Sequence, residues 1–346
     1  MTAIRGSRFR REFLVFTGSI ILLGAAVITA LVVGRYRVEA GTLLDLVRMA
    51  FSGEAIPEYL ETPLLVIRSV RMPRIIMAVI VGASLSVSGA VFQGIFRNPL
   101  VSPSILGVSA GASFGAALAI ILWRTNTVSV EVSAFIWALA AVTVAYRIGR
   151  RGGSSVTTLV LAGVIVSALF TAALSFIKYT ADPYEELPAI VFWIMGGFTG
   201  ILWNDVFRVL PPAVAGITLL ILFRWRLNAL SLGDEEATAM GLNVHRERVI
   251  YIILATLIVA TAISACGAIG WVGLVVPHMA RLIMGPDHNQ VIPFSAVLGG
   301  VFMLVMDTIV RVLPGGEMPI GIITSFLGAP FLTYLLLRKQ GGDWQM

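Results

Sequence analysis

The stretch IRSVRMPR sets Arg68, Arg71 and Arg74 at three-residue intervals, with Pro73 fixing the backbone beside them. Arginine forks onto carboxylates through parallel hydrogen bonds, so this spacing reads as a docking surface for acidic groups on a partner. Snorkelling at lipid headgroups is the alternative for any single arginine. A second stretch, NALSLGDEEATAMGLNVHRERV at 228–249, is polar, and its DEEATAM core favours helix until Gly241 stops it. It reads as a short helix standing out of its surroundings and able to enter a groove on a soluble subunit, or as a solvated amphipathic linker. A third, FRNPLVSPSILGVSAG from Phe96, is a polar, proline-bracketed turn that restarts on small residues.

Much other chemistry is missing. Lys178 and Lys339 are the only lysines, and neither follows a GxxxxG loop, so no phosphate-cradling P-loop can form. Any ATP-driven process would need a separate subunit. Ion-coupled transport usually leaves ionisable groups deep inside spans, and Asp205, Asp307 and Arg311 read as lying near span ends. An ion-coupled secondary transporter of a small organic or metal complex is therefore the weaker alternative. No nucleophile constellation points to an enzyme. His245, His278 and His288 lack tight metal-ligand spacing and read as loop or packing residues. The single cysteine, Cys266, excludes an intrachain disulfide.

These residues are positioned by a very apolar chain. Of 346 residues, 58% are hydrophobic and 13% charged, against roughly a quarter charged in soluble proteins. The chain is read as an all-α polytopic membrane protein and a single domain over 1–346. Spans of about 20 apolar residues are expected at 13–34, 75–96, 104–123, 130–147, 156–177, 205–224, 249–267, 271–284, 291–311 and 319–338. Span 13–34 reads as an anchor rather than a removable signal peptide. Residues 188–200, PAIVFWIMGGFTG, read as a half-helix, tolerated only where protein or a cavity covers the backbone.

Ten spans put both termini on one side. The loops of that side hold 15 of the 25 basic residues but seven of the 19 acids, which marks it as cytoplasmic. The net charge of +6 is therefore a matter of sidedness rather than of nucleic acid. FRNPL and 228–249 then lie inside, while Arg68, Arg71, Arg74 and Arg311 lie outside.

The motifs RMPRIIMAVIVGASLSVSGAVFQGIFRNPLVSPSILGVSAGA, LVLAGV, WIMGGFTG, LSLGDEEATAMGL, GAIGWVGLVVPHMARL and MPIGIITSFLGAPFLTYLL, in this order from about residue 60 to 338, resemble the FecCD-type permease subunits of type II ABC importers. That family carries iron–siderophore, haem and cobalamin complexes. The resemblance implies a type II importer permease fold in the cytoplasmic membrane. It also implies a homodimer with two ATP-binding cassette subunits inside and one substrate-binding protein outside. ATP and magnesium would be bound by the ATPase, and this chain would hold no cofactor and catalyse nothing itself. Arg71, Arg74 and Arg311 match outward arginines that pair with glutamates of the binding protein. The loop at about 228–248 matches the coupling helices, with Gly233, Glu235, Glu236, Ala237, Gly241 and Leu242 as its motif. Asn98 and Leu100 match one cytoplasmic gate loop, and Ser155, Val156 and Thr157 a second, where Val156 stands in place of a hydroxyl residue. His278 follows Pro277 in a further signature and reads as structural. Helical spacing places Ser167, Thr171 and Ser175 either on the pathway or in the core. The cargo would be a metal chelate, and membrane lipid the remaining contact.

Overall fold

A backbone inside a membrane must satisfy its hydrogen bonds within the protein, and this chain does so with helices alone among its described residues. The computed structural model describes residues 2–52, 56–123, 126–153, 155–314 and 317–338. Of the charges counted for sidedness, Lys339 and Asp343 lie outside these.

The expected spans appear as α1 (Thr2–Val32), α4 (Met72–Ile95), α5 (Val108–Trp123), α6 (Thr127–Arg151), α7 (Val156–Thr180), α9 (Trp203–Leu222), α12 (Val244–Cys266), α13 (Val272–Met284), α14 (His288–Val312) and α15 (Ile320–Arg338). Among the described residues, seven helices are long and apolar enough to cross a membrane, whereas α5, α13 and most of α15 are shorter apolar helices. At about 1.5 Å per residue, α13 covers about 20 Å, less than the hydrocarbon thickness. The half-helix is α8 (Glu186–Met195).

Between the first two spans the structure adds α2 (Ala40–Ser52) and α3 (Glu58–Leu65), which the sequence reading left as loop. α3 continues through a π-helical turn, Val66–Arg71, straight into α4. Proline removes a helical N–H and crowds the preceding turn. The wider i→i+5 bonding there, with Met72 N donating to the Ile67 carbonyl, lets the chain pass Pro73 without a break.

α4 is the centre of the molecule. It packs on α14, α12, α13 and α9 and is buried along nearly its whole length. Small residues make this possible. A Cβ placed on Gly89 would lie 2.6 Å from the Gly273 carbonyl carbon, and one on Gly82 would lie 2.6 Å from the Met303 Cβ. Beside this core, α5, α6 and α7 form a three-helix unit around Phe114, Trp137 and Phe170, whose ring centroids lie 4.8–5.9 Å apart.

Helix ends also meet inside the bundle. Gly197 N donates to the Cys266 carbonyl at 2.8 Å, and Ile320 N to the Gly196 carbonyl at 3.0 Å. These bonds join the ends of α8, α12 and α15. A cleft of about 390 Å³ beside this junction is lined by Trp193, Thr199, Cys266 and Glu317 among others.

Candidate functional site

Two short helices interrupt the apolar pattern between α9 and α12: α10 (Arg224–Leu232) and α11 (Asp234–Ala239). Gly233 separates them. α11 closes with Gly241 in the left-handed region at φ 82°. Gly241 N donates to the Thr238 carbonyl and Leu242 N to the Ala237 carbonyl, the paired bonds of a Schellman stop. The expected single short helix is thus two pieces. Glu235, Glu236, Leu232 and Met240 are exposed, while Ala237 is fully buried and pins the segment to the bundle. Gly233 is buried at the joint and Leu242 half-buried.

The segment is anchored from both sides. Leu227 and Leu230 are buried, and the Asn228 amide donates to the Asp287 carboxylate at 2.6 Å. Burial opposes charge on Asp287, but the Asn289 N–H and the Asn228 and Asn289 amides outweigh it and hold the carboxyl below its usual range. Arg226 pairs with Glu247 at 2.8 Å.

Asp234, at the start of α11, accepts from Arg248 of α12 at 2.9 Å and from Arg97 at 3.2 Å. Arg97 belongs to the turn after α4 and holds a left-handed φ of 50°, uncommon for a residue with a Cβ. In that turn the Asn98 side chain accepts from Leu100 N at 2.9 Å, and Val101 N donates to the Asn98 carbonyl. Asn98 is therefore spent on closing the turn, and Leu100 is left exposed at its tip. A 3-10 turn, Pro103–Leu106, follows and rests on α7, where Gly163 abuts the Ile105 carbonyl. Ser155, Val156 and Thr157 begin α7: Ser155 is its N-cap, accepting from Thr158 N at 3.1 Å, Val156 is half-buried and Thr157 exposed. Thr171 and Ser175 are exposed on α7, and Ser175 donates back to the Thr171 carbonyl. Ser167 is half-buried, facing Gly107, the residue between the 3-10 turn and α5.

At the opposite end the arginines are engaged inside the chain. Arg71, Arg74 and Arg311 are 4%, 5% and 6% exposed, each held by partners within the chain. The Arg71 guanidinium donates to the carbonyls of Leu31 and Tyr36. Arg74 binds Asp307 at 2.8 Å and Glu317 at 2.9 Å, and Arg311 lies 3.1 Å from Asp307. The reason is Asp307, fully buried in α14: an unpaired carboxylate there is very costly, and two guanidiniums compensate it. Of the three arginines of IRSVRMPR, Arg68 alone is exposed. Burial opposes charge on Glu317, yet the Thr199 hydroxyl, Arg74 and Arg35 hold its carboxyl below the usual range.

Arg97, Asp234, Arg248, Asp307 and Glu317 were not singled out as site residues from sequence. Asp307 and Arg311, four apart on one helix, were the available signal for the buried network. No cluster of three or more His, Cys, Asp or Glu residues able to hold a metal occurs among the described residues.

Comparison with known proteins agrees with this architecture. The chain is 42% identical over 281 residues to the cobalamin import system permease protein BtuC of Halobacterium salinarum, covering 81% of this chain and 75% of that protein. It is 36% identical over 330 residues to the molybdate import system permease protein MolB of Haemophilus influenzae, covering 94% and 96%. A solved structure of a metal-chelate type ABC transporter in an inward-facing conformation superposes with a TM-score of 0.84 at 34% identity, covering 94% of this chain and 99% of that one. A profile of the FecCD transport family matches residues 22–338, and the chain belongs to that family.

Proposed function

We propose that this chain is the membrane-spanning permease of an ATP-driven importer for a metal chelate. It works as a pair of identical chains in the cytoplasmic membrane, with two ATP-hydrolysing subunits on the α10–α11 side and a substrate-binding protein on the other. Nucleotide and magnesium belong to the ATPase subunits. The basic excess on the α10–α11 side supports its cytoplasmic placement.

One observation carries this reading. The α10–α11 segment exposes Glu235, Glu236, Leu232 and Met240 while its buried Ala237 and its Asp234 hold it to the bundle. A push on it from a soluble subunit reaches the turn bearing Leu100 through Arg97. Leu100 and Thr157, exposed at the starts of neighbouring helical units, then form the closure. α5, α6 and α7 move together because their aromatic cluster joins them.

Cargo follows from α7. Its exposed face between 157 and 176 carries Thr171 and Ser175 among Leu161, Val164, Ile165 and Leu169, with no charge. A bare oxyanion would pass such a wall poorly, whereas a bulky chelate that shields its metal would pass it. The binding protein meets the face that carries the exposed Arg68.

Proteoliposomes holding the permease, its ATPase and its binding protein test the reading. Uptake of a cobalamin or ferric-siderophore probe should require ATP inside and proceed without an ion gradient. Uptake driven by an ion gradient in the absence of the ATPase would overturn it, and uptake of molybdate in preference to chelates would overturn the cargo class.

A further inference from the structure

Between α6 and α12 lies a crevice of about 340 Å³ whose walls are almost wholly apolar, including Leu139 and Val142 on α6 and Ile252, Ile253 and Leu257 on α12. It runs along α12 from Val249 to Leu257, about 12 Å at helical rise. At its lower end Tyr146 closes it and also lines a second recess, whose other walls include Arg150, His245 and Arg248. The Tyr146 hydroxyl and His245 Nε2 lie 3.4 Å apart.

We propose that this composite groove binds one anionic membrane phospholipid, with an acyl chain in the crevice and the phosphate in the basic recess. The two halves are continuous through Tyr146, an aromatic with an apolar ring and polar tip of the kind that sits where hydrocarbon meets headgroup. Charge complementarity selects the headgroup. Arg150 and Arg248 carry fixed positive charge, and His245 adds a polar ring nitrogen. Of the neighbouring acids, Glu247 pairs with Arg226, and Asp234 is shared between Arg97 and Arg248. Arg248 touches Asp234 through a terminal nitrogen, while its Nε is buried without a hydrogen-bond partner. A phosphate oxygen at Nε would satisfy that donor without breaking the Asp234 pair. Basic pockets between transmembrane helices are a recurring way of holding anionic headgroups, and the adjoining crevice favours a lipid over free phosphate.

Native mass spectrometry of the full-length permease, equilibrated with dioleoyl phosphatidylglycerol or dioleoyl phosphatidylcholine, tests the site. One phosphatidylglycerol per chain should be retained in preference to phosphatidylcholine, by about fivefold for each basic side chain engaged. Arg150→Glu with His245→Glu should abolish that preference. Ile253→Trp, which fills the crevice, should lower retention of both lipids, with helix content and monodispersity checked for each variant. Millimolar inorganic phosphate should not displace the lipid. Equal retention of the two lipids by the wild-type chain overturns the proposal without any variant. So does a preference that survives the charge reversals, or displacement by phosphate alone.

Discussion

The Asp234 carboxylate bridges Arg97 and Arg248, so one side chain on α11 holds both the turn after α4 and the first turn of α12. Exposed ion pairs contribute little to stability, about 0.2–1 kcal/mol each, and stability is not what this bridge provides. In the proposed mechanism it gives a soluble partner a short mechanical route to Leu100. Asp234→Asn should leave the melting temperature nearly unchanged while ATP-driven uptake falls several-fold and ATP hydrolysis persists. Parallel measurement of hydrolysis and uptake in proteoliposomes decides this; unchanged coupling would remove the bridge from the mechanism.

Gly241 stops α11 at a positive φ where a Cβ costs about 1–2 kcal/mol. Gly241→Ala should loosen the end of the coupling segment and weaken binding of the ATPase subunit. Gly241→Pro, which also deletes the N–H bonded to Thr238, should weaken it further. Affinity by surface plasmon resonance should rank wild type above alanine above proline.

Asp307 is the keystone of the opposite end. Removing one partner of a buried ion pair costs about 3–5 kcal/mol, so Asp307→Ala and Arg74→Glu should both lower thermal stability sharply, as read by light scattering on heating. Arg68→Glu should leave stability alone and reduce binding-protein affinity. If Arg74→Glu instead gave a stable permease with a docking defect, the arginine would belong to the surface after all.

Acid should act on the same region through Glu317. Its carboxyl titrates below the ordinary value of 4.5 in the folded chain, so its contribution to stability is fully present above that value. The contribution is lost as pH falls through the lower folded value. The drop in melting temperature on acidification should be shallower in Glu317→Gln than in the parent, and identical slopes would rule the group out.

The close approach of α4 to its neighbours gives a plain mutational outcome. Gly89→Val has no space beside Gly273, and overpacking of about 1–3 kcal/mol or more should appear as loss of monodisperse protein on size exclusion. Gly41, with nothing within reach of a Cβ, should accept the same change.

Much of this was legible from sequence because hydropathy reports length and apolarity directly. The run from Ile75 to Phe96 announces α4, and Gly241 announces the end of α11. What stayed hidden depends on partners far along the chain. Arg74 reads as outward because local sequence shows three basic residues and a proline, while Asp307 lies 233 positions away. The polar helical segment at 228–249 was visible, but its joint at Gly233 and its tie to Arg97 depend on how α4 and α11 meet in space. α2 and α3 escaped notice because, at 13 and 8 residues, neither is long enough to read as an apolar span, and only the π-helical turn lets α3 continue past Pro73 into α4.

The burial of α4 also bears on how the protein is made. Hydropathy alone would name this helix a natural lipid-facing anchor, and at synthesis it is one, since α12, α13 and α14 do not yet exist. Its bare glycine surfaces must sit in lipid until residues up to Val312 have been inserted. Insertion of α14 would then exchange acyl chains for backbone along α4, and a chain truncated before α14 would carry an unfinished seam down its middle.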